Sequence, residues 1–74
     1  MGVTMKGLSE RQIEAIVKRE VKGSENSRKA YLRVREAFSP TPLVWVNENG
    51  PRQFKVFVQF FAPKTELHTI ICDR

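Results

Sequence analysis

Cysteine occurs once, at Cys72, which excludes an internal disulfide and leaves no CxxC pair for zinc or thiol exchange. Long apolar runs are also missing. The longest, residues 43–46 and 60–62, fall far short of the ~18 residues of a membrane helix, so no membrane span is expected. Around Lys6 the chain is charged and lacks the apolar core of a signal peptide, which points to the cytoplasm. Glycine and proline number four each with no low-complexity run, so flexibility is expected over residues 1–7 and at the last one or two residues, with one domain at 8–74. There is no Gly-rich phosphate loop, nucleophile elbow or paired-carboxylate motif. His68, the one histidine, stands four strand positions from Cys72, about 13 Å, too far to share a metal. No metal and no cofactor are expected. A chain of 74 residues buries roughly 60% of its unfolded surface, which leaves little room for a large pocket.

What the chain does have is positive charge. Thirteen Lys and Arg against eight Asp and Glu give +5, and residues 1–38 hold nine of the cations and five of the acids. Such an excess suits a polyanionic partner, although a solvated, soluble surface has the same composition.

The first helix is signalled by Ser9 and Gln12 as a capping box, with Leu8 and Ile13 as the hydrophobic staple, so it starts at Glu10. Ile13, Ile16, Val17 and Val21 recur at helical spacing, and Gly23 stops the run. Glu20 falls inside this apolar stripe and calls for a rim position or a donor, Tyr31 or an arginine. A second helix, capped within residues 24–27, runs to Phe38 before the Ser39-Pro40-Thr41-Pro42 break. Its apolar face is Ala30, Tyr31, Val34, Ala37 and Phe38. Beyond the break the period changes to 2. Residues 43–47 and 52–61 read as a hairpin about Asn49-Gly50, and residues 66–72 as a third strand after a turn at Pro63-Lys64. The expected fold is α+β, α-α-β-β-β, with both helices on one face of a three-stranded antiparallel meander.

A two-residue hairpin loop would pair Trp45 with Phe54, and the second turn would pair Leu67 with Phe60. In that register Leu43, Trp45, Phe54, Val56, Val58, Phe60, Leu67, Thr69 and Ile71 face the helices. Val44, Val46, Phe57, Phe61 and Ile70 then form an uncovered apolar face, an interaction surface for a protein partner, a second copy or stacked bases.

Three functional readings follow. The first is a non-enzymatic module that binds nucleic acid through Arg28, Lys29, Arg33 and Arg35 of the second helix, with Arg52 at the hairpin tip and Lys55 as further cations. A winged helix would carry a further helix ahead of this pair, and residues 1–8 cannot supply it. The second is a protein-interaction module or homodimer built on the uncovered face. The third is a small toxin-type ribonuclease using His68 with Glu66 and Lys55.

Overall fold

The computed structural model describes residues 8–39, 42–61 and 64–74. In chain order it contains α1 (Glu10–Val21), α2 (Ser27–Phe38), β1 (Leu43–Glu48), β2 (Gln53–Phe60) and β3 (Glu66–Asp73). The expected flexible segment 1–7, residues 40–41 of the proline-rich break and residue 63 of the second turn lie outside the described residues.

Each helix begins where a side chain can satisfy its free N–H groups. Gln12 N–H donates to Ser9 Oγ at 3.1 Å while Ser9 N–H donates to Gln12 Oε1 at 2.7 Å, which completes the capping box. Asn26 caps α2 by accepting from Lys29 N–H at 2.9 Å. Between the helices Gly23 adopts φ +81°, a left-handed conformation that a side chain would strain. Glu20 sits half-buried at the rim and pairs with Arg19 at 3.3 Å, so its position in the apolar stripe is met by an arginine rather than by Tyr31.

The sheet is antiparallel in the order β1-β2-β3. α2 packs over β1, α1 over β3, and the helices against each other, so one sheet face is covered and the other is left open. Ile13, Val17 and Val21 of α1, Ala30, Val34 and Phe38 of α2, and Phe54, Val56 and Val58 of β2 form the centre of the core.

The strands are where sequence and structure part. Trp45 lies opposite Phe57, not Phe54, and Glu48 lies opposite Phe54. The loop therefore runs through Pro51 and Arg52 and is closed by Asn49 N–H donating to Gln53 O at 2.9 Å. Pro51 has no N–H to give to a ladder, so the two-residue loop that would place it directly opposite Glu48 yields to a longer one. The slide is three residues, an odd number, and it inverts the faces of β1 relative to expectation. β3 is displaced by one residue, with Glu66 rather than Leu67 opposite Phe60, and is inverted as well.

Val44, Val46 and Ile70, expected on the uncovered face, are consequently buried beneath the helices, 7%, 8% and 4% exposed. Leu43, Trp45, Leu67, Thr69 and Ile71, expected inside, face out. Side-chain volume accounts for this. Four valines, Val44, Val46, Val56 and Val58, leave room for Phe38 and Phe54 beneath the helices, and an inward Trp45 would overfill that layer. Only β2 has the faces its alternation suggested.

Candidate functional site

Two exposed surfaces stand out, and they lie on opposite sides of the molecule. The first is the outward side of α2. Its four cations, Arg28, Lys29, Arg33 and Arg35, against Glu36 alone give this helix +3. α1 carries Arg11, Lys18 and Arg19 against Glu10, Glu14 and Glu20 and is neutral. The pairing differs as well. In α1 Lys18 meets Glu14 at 3.8 Å and Arg19 meets Glu20, whereas on α2 only Lys29 has a carboxylate partner, Glu25. Arg28, Arg33 and Arg35 are exposed and form no ion pair among the described residues. At 100° per residue, Arg28 and Arg35 flank Leu32 on one side and Lys29 and Arg33 on the other. Leu32 itself is exposed.

Arg52 is exposed in the hairpin loop, at the same end of the molecule as the start of α2. Glu48 and Arg74 make that connection. Ser27 N–H at the first turn of α2 donates to Glu48 Oε2 at 3.2 Å, and Arg74 Nη1 donates to Glu48 Oε1 at 3.0 Å. Arg74 also donates to Glu25 O and Pro51 O, and its guanidinium lies 4.6 Å from the centre of the Phe54 ring. The interhelical loop, the hairpin loop and the start of α2 are thus held by one carboxylate and one guanidinium. Lys55 takes no part in this group. It is on the open sheet face, its ammonium 5.7 Å from the centre of the Phe57 ring.

That open face is the second surface. Successive cross-strand rows are Leu43–Gln59–Leu67, Trp45–Phe57–Thr69 and Asn47–Lys55–Ile71, followed by Gln53–Asp73. Leu43, Trp45 and Leu67 are 63%, 60% and 59% exposed. Trp45 is oriented by its indole N–H, which donates to Asn47 Oδ1 at 2.9 Å. Phe61, just beyond β2, is exposed, and Phe57 is half-buried. Of the five residues expected to form this face, Phe57 and Phe61 are outward.

Of the residues in the ribonuclease reading, His68 and Glu66 come together and Lys55 does not. His68 turns towards the helices, accepts or donates one hydrogen bond with Glu66 Oε1 at 3.2 Å and stacks edge-on against Phe60 with ring centres 5.7 Å apart. Lys55 is on the other face of the sheet. Beside His68 a cleft of about 290 Å³ is lined by Glu10, Arg11 and Glu14 of α1. Its carboxylates would repel a phosphodiester. No group of three or more His, Cys, Asp or Glu side chains converges on a metal position among the described residues. Nor is any helix among them long and apolar enough to cross a membrane. Cys72, which a pairing of Leu67 with Phe60 would turn outward, is buried, and burial pushes its thiol pKa above the ordinary 9.0.

Comparison with protein-family models, with curated proteins and with solved structures finds no match to this chain. Two features escaped sequence reasoning. The Trp45-centred face depends on register, and the Glu48–Arg74 junction joins residues 26 positions apart with no local pattern to mark them.

Proposed function

We propose that the chain is a non-enzymatic nucleic-acid-binding module that lays α2 along the phosphate backbone. The observation that carries this reading is the exposure of Arg28, Arg33 and Arg35 without carboxylate partners, on a helix of charge +3. An arginine already paired gains little from a phosphate, whereas an unpaired one can release a condensed counterion from the nucleic acid for each contact it makes. Lys29 serves less well because Glu25 holds it. Arg52 extends the cationic surface past the start of α2. Such a module belongs in the cytoplasm, where nucleic acid is available to it.

Titrating a labelled duplex at several salt concentrations tests this. Three phosphate contacts imply an affinity that falls about 40-fold between 50 and 200 mM salt. The Arg28→Ala/Arg33→Ala/Arg35→Ala variant should lose most of that dependence together with most of the binding. Equal binding by this variant and its parent near 150 mM salt would remove the reading.

A further inference from the structure

The open sheet face is chemically unlike the rest of the molecule, and we infer that it pairs face to face with the same face of a second copy. Three observations carry this. The first is charge. On a chain of +5, this face holds one cation, Lys55, and one anion, Asp73, and is neutral. Two copies can meet there without opposing like charges, whereas a polyanion would find a single lysine already drawn over Phe57. The second is area. Leu43, Trp45, Leu67 and Ile71 on the outward rows and Phe61 just beyond β2, all exposed, together with the half-buried Phe57 offer on the order of 600 Å² of surface per copy, or about 1,200 Å² in a pair, which reaches the lower bound for stable, specific interfaces. The third is architecture. A three-stranded sheet covered on one side becomes a two-sheet sandwich when two open faces stack about 10 Å apart, and an isologous contact closes after one pairing. Both α2 surfaces then remain on the outside, so pairing and nucleic-acid binding use different residues.

Trp45, the one tryptophan, reports on this face directly. Sedimentation equilibrium and tryptophan emission are to be measured together on the parent from micromolar to about 1 mM, where a weak Kd is still populated. The expected result is a mass rising towards twice 8.6 kDa with a blue shift of the emission over the same concentrations. Leu67→Asp and, by mass alone, Trp45→Asp should stay monomeric with unchanged circular dichroism. The Arg28→Ala/Arg33→Ala/Arg35→Ala variant should pair like the parent. A parent that remains monomeric throughout overturns the inference. So does a mass that doubles without an emission shift, since another surface would then be in contact. Quenching of Trp45 in the monomer by single-stranded oligonucleotides, without pairing, would assign the face to stacked bases instead and equally overturn it.

Discussion

The outward side of α2 and the open sheet face are both solvent-exposed, yet they offer different physics. α2 presents unpaired arginines around one leucine, a surface that acts at a distance and attracts any polyanion. The sheet face presents Trp45, Leu43 and Leu67 with one lysine and one aspartate, and gains free energy only on contact. Salt therefore separates them. Screening weakens what α2 does, while apolar contact at the sheet is unaffected, or strengthened by a salt such as sulfate that is excluded from protein surfaces. The core of valines and phenylalanines separates the two surfaces.

The sharpest way to break this division is at two adjacent residues of β1. Val46 is buried and Trp45 is 60% exposed. Aspartate at Val46 would place a carboxylate among Val56, Ile70 and α2 with no partner, which should cost more than about 3 kcal/mol and unfold much of so small a domain. Trp45→Asp loses strand propensity and little packing, so about 1 kcal/mol is expected. Urea denaturation of the two variants decides between them. The reverse order of cost would restore the two-residue hairpin, and with it a sheet face made of Val44, Val46 and Ile70.

The same pair of residues shows how far the sequence could be read. Helix positions were legible because capping and periodicity agree. Ser9 with Gln12, and Ile13, Val17 and Val21, admit one phase and one start. The α-α-β-β-β order was legible for the same reason, since the period changes once, after the proline-rich break. Strand faces were not. In β1 the set Leu43 and Trp45 is as apolar as Val44 and Val46, and in β3 Leu67 and Ile71 are as apolar as Ile70 and Cys72, so alternation marks a strand without orienting it. β2 differs because Phe54, Val56, Val58 and Phe60 alternate with Gln53, Lys55 and Gln59, and polarity orients it. The cations of α2 lie outside its apolar face at helical spacing, and they are exposed. Their lack of carboxylate partners became visible only when Glu14, Glu20, Glu25 and Glu48 were placed beside other groups.

A smaller effect is expected where α2 is fastened to the sheet. Glu48 accepts from Ser27 N–H and from Arg74, but both side chains are partly exposed, so solvent screening limits their contribution. Glu48→Gln keeps an acceptor for Ser27 and loses the charge. About 1 kcal/mol is expected, a fall in Tm of roughly 4 to 8 °C for a domain of this size. Because Arg28 lies next to Ser27 and Arg35 two turns further on, fraying of the first turn should weaken the contribution of Arg28 to duplex binding more than that of Arg35. A double-mutant cycle between Glu48→Gln and each arginine measures this. Equal coupling to both would mean that Glu48 steadies the whole helix rather than its first turn.

The smallest expected effect is chemical, and it tests the face of β3 as Trp45 and Val46 test that of β1. Cys72 lies opposite Phe54 on the helix side, between the outward Ile71 and Asp73. Burial disfavours its thiolate, and Glu14 and Asp73 add to that while Lys18 opposes it, so the thiol of the folded chain titrates above 9.0. Near neutral pH the folded protein should resist a thiol reagent until denaturant is added, whereas a one-residue slip of β3 would expose Cys72 and allow immediate labelling. The same burial couples the thiol to stability. Below pH 9.0 the proton is bound in both states and the contribution of the buried thiol is complete. As pH rises past that value the unfolded chain releases its proton first, so stability declines up to the higher folded pKa. Cys72→Ala isolates the part played by the thiol: its alkaline decline should be shallower than the parent's, even though it begins from a lower stability because a small cavity replaces the sulfur. Identical slopes in the two proteins would mean that Cys72 meets water in the folded state, and that β3 presents its other face to the helices.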